Sequence, residues 1–267
     1  MPTQLEIILA HTRREVAARR PAVDLAALEM QAAAHIPRGF EAALRTAAKH
    51  GPAIIAELKK ASPSRGLIRA DLEPVALATS LAAAGATALS VLTDREFFRG
   101  SLENLTRASA AVKIPCLRKD FIIDTFQIVE ARAAGADAIL LIVAALSDSE
   151  LRSLSAEAKR MELDALCEVH DAQELERAVA LGFTILGVNS RNLHTMQVDP
   201  EGQIELARKL PKNVLRVAES GIRTQADMAR MAAAGYDAFL IGESLMREAD
   251  PGAALANLLV RENAVKV

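Results

Sequence analysis

Four stretches of this chain run from small helix-forming residues through a glycine straight into an apolar strand: AAAGATALSVLTD, ARAAGADAILLIVA, AVALGFTILGVNS and MAAAGYDAFLIGES. Each reads as a helix closed at its end by Gly85, Gly135, Gly182 or Gly235, with a buried strand following two or three residues later. Polar residues gather at the far ends of such strands, in AIIAELKKASPS, PCLRKDF, ALCEVH, ILGVNS and LRVAESG. Glycine at the start of the strand and charge at its end is the layout of a (β/α)8 barrel, whose chemistry sits on the carboxyl ends of its strands.

The spacing supports that reading along the whole chain. Strands are expected at 53–59, 88–93, 115–119, 138–143, 164–169, 185–189, 215–219 and 238–242, with helical periodicity in every gap and a last helix near 250–262. At 267 residues the chain matches one barrel of about 250 residues and leaves no room for an inserted domain. The fold expected is a single α/β (β/α)8, or TIM, barrel over residues 51–267. Residues 1–50 precede the first strand and read as helices at 3–19, 24–34 and 38–49. A barrel closes on its own eight units, so this extension must pack on the outside or across one mouth.

Composition excludes several function classes. A net charge of −2 without a long basic run gives no footprint for nucleic acid. The apolar piece LEIILA is too short for a secretory core and no run approaches a membrane span. Cys116 and Cys167 each fall inside a strand and read as buried, reduced thiols of a cytoplasmic protein. His11, His35, His50, His170 and His194 show no metal-ligand spacing, so neither a metal nor an organic cofactor is expected. His170, just past Glu168, reads as a solvated loop residue, with a place near the site as the alternative, and the charged exposed helices suit a monomer.

Strand parity selects the residues that can face the barrel interior. Ile55, Glu57 and Lys59 share one side of the first strand while Ile54, Ala56 and Leu58 share the other. By the same counting Lys119 follows Leu117, Glu168 follows Leu166, Asn189 follows Gly187 and Glu219 follows Val217, each pointing inward beyond an apolar layer. Cys116 and Cys167 then face the helices. Two lysines and three carboxylates converging in one mouth suit general acid–base chemistry, with close like charges driving carboxylate pKa values apart and burial lowering those of lysines.

A second feature points to phosphate. AESGI and LIGESL carry Gly221 and Gly242 in the loops after the last two strands, where barrels of this kind often bind the group. Ser62 and Ser64 in KKASPSRG could add hydroxyl donors. The expected partner is therefore a small phosphorylated molecule. From these residues alone a phosphosugar isomerase, a Schiff-base aldolase using Lys119, and a catalytically silent metabolite-binding barrel all stay open.

The segments PRGF at 37–40, AELKKASPS at 56–64, LTDREFFRGSLENL at 92–105, LRKDFIID at 117–124, GVNSRNL at 187–193, VAESGI at 217–222 and LIGESLM at 240–246 together resemble the indole-3-glycerol phosphate synthase family. The resemblance implies ring closure of 1-(2-carboxyphenylamino)-1-deoxyribulose 5-phosphate to indole-3-glycerol phosphate, with loss of carbon dioxide and water. It implies Lys119 as general acid and Glu168 as catalytic base, with Glu57 orienting or sharing that work and Lys59 holding the substrate carboxylate or acting as second acid. Asn189, Glu219 and Ser220 match substrate-binding positions, and Phe98, Phe121 and Leu140 match the walls of the anilino pocket. Ser62, Gly221, Gly242 and the backbone of Glu243 match the phosphate site, while Arg191 could reach the substrate or form a rim salt bridge. The extension is expected to fold over the carboxyl mouth, with helix 3–19 and the PRGF turn forming a lid. Departures from the family pattern are Met196 in place of a frequent aromatic, and Arg13 and Arg14 in place of a lysine in the first helix.

Overall fold

A computed structural model describes residues 2–191 and 197–260. Eight parallel strands close into a barrel in chain order: β1 Ala53–Leu58, β2 Ala88–Leu92, β3 Cys116–Lys119, β4 Ala138–Ile142, β5 Asp164–Val169, β6 Ile185–Asn189, β7 Leu215–Glu219 and β8 Ala238–Ile241, with β8 pairing back on β1. Before β1 come helices α1 Gln4–Arg19, α2 Leu25–Ala34 and α3 Phe40–Ala48. Between and after the strands lie α4 Pro74–Ala83, α5 Leu102–Ala111, α6 Thr125–Ala133, α7 Asp148–Arg160, α8 Ala172–Ala180, α9 Pro200–Ala207, α10 Gln225–Ala234, α11 Glu243–Met246 and α12 Pro251–Leu259. The glycines expected to close helices are left-handed, with φ of 104° at Gly85, 86° at Gly135, 81° at Gly182 and 107° at Gly235. Residues 61–62 and 66–67 form a small antiparallel pair beyond β1 that the sequence reading did not contain. Asn192, Leu193, His194 and Met196 lie outside the described residues, as do the positions expected to extend the last helix to 262.

Period-two alternation holds around the barrel. Ala53, Ile55, Ala88, Leu117, Ala138, Leu140, Ile142, Leu166, Ile185, Leu215, Val217, Ala238 and Leu240 form one buried interior cluster, while Cys116 and Cys167 belong to the separate layer between sheet and helices. Burial pushes both thiols well above the ordinary range, Cys116 to about 12, so they stay unionised and inert. Among the described residues no helix is long and apolar enough to cross a membrane.

The extension divides between both ends of the barrel. Helix α1 begins with a capping box between Thr3 and Glu6 and buries Leu5, Ile8, Leu9, Thr12 and Val16 along one stripe. Its amino-terminal half covers the carboxyl mouth, and its far end is fastened to α6 by Arg19 paired with Glu130 and by Arg20 held 2.9 Å from Asp124. Helix α2 packs along α6. The PRGF turn sits at the opposite end, which overturns the expectation that it forms part of a lid. Alanine fills the first inward position of β1, β2, β4 and β8, and the space so left admits Phe40 and Leu44 of α3, both fully buried in the interior cluster. Arg38 fixes the turn there, with Nη2 2.6 Å from the fully buried Asp137 and Nη1 donating to the carbonyls of Ser109 and Val112. The third helix starts at Phe40 rather than 38 because Gly39, at φ 74°, turns the chain into it.

Candidate active site

The carboxyl ends of the strands enclose a cavity of about 910 Å³ beneath α1. Every residue assigned to catalysis, substrate or phosphate from the sequence lines it: Glu57, Lys59, Ser62, Phe98, Lys119, Phe121, Leu140, Glu168, Asn189, Arg191, Glu219, Ser220, Gly221, Gly242 and Glu243. Their convergence follows from parity, since the inward position after the apolar layer falls at the rim of each strand.

At the floor Lys119 Nζ lies 2.6 Å from Glu168 Oε2 and 2.8 Å from Glu219 Oε2. Beside it Lys59 Nζ is 2.6 Å from Glu57 Oε1, whose other oxygen accepts from Ser90 Oγ at 3.2 Å. Glu57, Glu168 and Glu219 are 3%, 2% and 1% exposed, so these charges interact through protein rather than water. Room for them comes from missing side chains: a Cβ at Gly187 would stand 2.1 Å from Glu219 Oε1, and one at Gly242 2.5 Å from Glu57 Oε1.

The electrostatics correct one expectation. Burial alone pulls the Lys119 ammonium down, but the carboxylates of Glu168, Glu219 and Glu57 outweigh it and hold it above the ordinary lysine range. Burial pushes Glu168 up, yet Lys119 and His170 more than reverse this and leave it below the carboxylate range. Glu219 keeps the upward shift of its burial, reinforced by Glu168 against the pull of Lys119, and rises to about 8. The mouth therefore holds an ammonium favoured in its charged form beside one carboxyl biased toward ionisation and one biased toward keeping its proton.

Apolar and anion-facing parts flank this centre. Phe98 and Phe121 meet at 6.2 Å between centroids, and Asp94 fixes the Phe98 loop by accepting from the Phe97 and Phe98 amides at 2.7 and 2.9 Å. On the other side Asn189 Oδ1 accepts from Ser220 Oγ at 2.8 Å and from the Arg191 amide at 3.0 Å. Ser220 is left-handed at φ 68°, a strained backbone at the cavity wall. Glu243 gathers Arg65 at 3.1 Å, Arg247 at 3.3 Å and Arg191 at 3.5 Å, so Arg191 makes the rim salt bridge within the cavity itself.

Sequence reading missed several participants. Ser90 is an inward residue of β2 that parity identifies once Ala88 is placed inward. Arg65 and Arg247 require the folding of two loops onto Glu243. His170 is not a solvated loop residue: its side chain is 13% exposed, with Nε2 3.3 Å from Glu168 Oε1 and Nδ1 3.1 Å from Glu174 Oε2. It continues the inward parity of Leu166 and Glu168, and Glu174 lies four residues on. Among the described residues no cluster of histidine, cysteine or carboxylate side chains could hold a metal ion.

Comparison with known proteins bears on the fold and the family. Solved structures of matching architecture include a 3-hexulose-6-phosphate synthase, with a TM-score of 0.62, 16% identity and coverage of 77% of this chain and 97% of the other. Another is a thiamine phosphate pyrophosphorylase from Pyrococcus furiosus, with a TM-score of 0.58, 18% identity and coverage of 78% and 93%. At that identity they establish the barrel alone. The indole-3-glycerol phosphate synthase of Koribacter versatilis is 60% identical over 259 residues, covering 97% of this chain and all of the relative. That of Albidiferax ferrireducens is 48% identical over 256 residues, covering 95% and 97%. The family model for indole-3-glycerol phosphate synthase matches residues 5–258. The chain thus belongs to the indole-3-glycerol phosphate synthase family, the carboxy-lyases of tryptophan biosynthesis.

Proposed function

We propose that Lys119 and Glu168 are the acid and base of the ring closure. The observation that carries this reading is the position of Lys119 Nζ between Glu168 and Glu219 on the cavity floor. As the ring carbon bearing the carboxylate attacks the substrate carbonyl, Lys119 gives its proton to the carbonyl oxygen and carbon dioxide leaves as aromaticity returns. The new hydroxyl then departs as water with a second proton, from Lys119 again or from Lys59, while Glu168 takes the C–H proton that completes the indole. Two protons are delivered and one is recovered, so each turnover takes up one net proton. Glu57 holds Lys59 toward the substrate carboxylate, and protonated Glu219 can donate a hydrogen bond without adding negative charge beside it.

Phe98, Phe121 and Leu140 would wall the anilino ring, where burial at about 25 cal/mol per Å² supplies a few kcal/mol of binding. Asn189 and Ser220 would orient the sugar chain. Ser62, Gly221, Gly242 and the Glu243 amide would receive the phosphate, with Arg191 exchanging its Glu243 partner for it. The raised pKa of Lys119 favours this reading over a Schiff-base aldolase, because a lysine held as ammonium is a poor nucleophile. A silent binding barrel has no use for three buried carboxylates next to an anion site. The reading includes a monomeric, cytoplasmic enzyme without cofactor. Glu168→Gln should lower kcat by about 10³-fold and change substrate affinity only a few-fold. Steady-state kinetics checks this, and a defect confined to affinity would contradict the base assignment.

A further inference from the structure

On that reading each cycle consumes one proton, and the amino-terminal half of α1 covers part of the mouth above the site. A second cavity of about 370 Å³ opens between α1 and α8, lined by Thr3, Glu6, Asp171, Glu174 and Arg177 among others. His170 spans the wall between the two spaces. Its Nε2 is buried and 3.3 Å from Glu168 Oε1, an ion-pair contact not aligned as a hydrogen bond, and it has no hydrogen-bond partner among the described residues. Its Nδ1 is 3.1 Å from Glu174 Oε2, and Glu174 lines the second cavity. The bridge is built locally: Asp171 Oδ1 caps α8 by accepting from the Glu174 amide at 2.8 Å, and the Glu174 carboxylate accepts from the His170 amide at 2.8 Å.

We propose that His170 is a positioning and proton-relay residue, acting through Glu168, that returns from solvent in the second cavity the net proton each turnover consumes. The proposal rests on the reading of Lys119 and Glu168 as acid and base. After Lys119 has given up its proton, the imidazolium Nε2–H bond breaks as an O–H bond forms on Glu168 Oε1. The carboxylic acid then turns about its Cγ–Cδ bond, bringing that O–H to the position where Oε2 now lies 2.6 Å from Nζ, and the O–H bond breaks as the proton passes to the Lys119 amine. The neutral imidazole keeps its Nδ1 proton, so its bare Nε2 swings away from Glu168 toward the second cavity, takes a proton from water there and swings back to reset. No oxidant or further reactant is needed.

The charges around the ring favour this direction. Glu168 of β5 and Glu174 of α8 face it directly, Lys119 of β3 and Glu219 of β7 stand beyond Glu168, and Glu6 of α1 and Arg177 of α8 line the outer cavity, Arg177 being held 2.8 Å from Asp148. Burial alone pulls the imidazolium down, and the two carboxylates outweigh it and push it up to about 10. The ring is therefore held toward its charged form, and a Lys119 amine that has given up its proton between Glu168 and Glu219 draws the proton inward. Because this folded value lies above the ordinary 6.5, the stability that His170 contributes is present below about 6.5 and is lost as pH rises through about 10.

The test is the pH dependence of kcat and KM for the full-length enzyme, wild type against His170→Gln and Glu174→Gln. At about pH 8.5, where water is a poor proton source, His170→Gln should lower kcat about tenfold with KM unchanged, and near pH 6 by less than about twofold. Free imidazole should restore kcat at the higher pH, and Glu174→Gln should show the same trend more weakly. Equal losses at every pH without imidazole rescue, or no loss at all, would overturn the relay and leave His170 as packing. Turnover retained by Glu168→Gln would remove the base reading instead, whichever way the His170 profiles fall. Should His170→Gln fail to fold, Glu174→Gln with an unaltered pH profile is enough to overturn the proposal.

Discussion

At the amino-terminal mouth the inward positions are alanines that admit Phe40 and Leu44, and the one buried carboxylate, Asp137, accepts from Arg38 and from the Cys116 amide at 2.6 Å each. At the carboxyl mouth the last inward positions are Glu57, Lys119, Glu168, Asn189 and Glu219, and the space above them is open beneath α1. The first arrangement ties its buried charge to fixed partners. The second holds several buried carboxylates on shared lysines, so binding and proton transfer can shift charge among them. Stability is concentrated where polar groups are saturated, and chemistry where charges are crowded.

Substitutions at the two mouths should separate along that line. The largest effect expected is on stability at the closed end: Phe40→Ala empties the plug and should cost about 3–5 kcal/mol in denaturant unfolding, with kcat per folded molecule within about twofold of wild type. Comparable loss of kcat in the folded variant would mean that the two ends are not separable. At the open end Gly187→Ala drives a Cβ into the space of Glu219 Oε1, and a shift of about 1 Å there should lower kcat by about 10²-fold with a smaller effect on unfolding. The smallest effect is that of Ser90→Ala, which removes one hydrogen bond from Glu57 and should reduce kcat/KM by about tenfold. A stability loss without a kinetic one would make Ser90 a packing residue.

How much of this was legible in the sequence follows from the range of the interactions involved. The barrel was readable because its signals are local: glycine after the helix, alternation along the strand and charge at the strand end. The cavity was readable for the same reason, since parity carries each rim residue inward once its strand is placed. The position of the PRGF turn was not, because its partner Asp137 lies about a hundred residues on and nothing near Arg38 distinguishes one mouth from the other. The direction of the Lys119 shift depends on three carboxylates from three other strands, so burial alone gave the wrong sign. His170 was read the wrong way of two because a lone histidine gains meaning only when α8 brings Glu174 against one ring nitrogen and β5 brings Glu168 against the other.

Catalysis by Lys119 from the crowded mouth is tested most directly by adding the anilino substrate to Lys119→Ala and following indole fluorescence. The chain contains no tryptophan, so product appears over a dark background. The account predicts that the variant still binds the phosphorylated substrate and that the indole signal is absent. Product formation at the wild-type rate would contradict it.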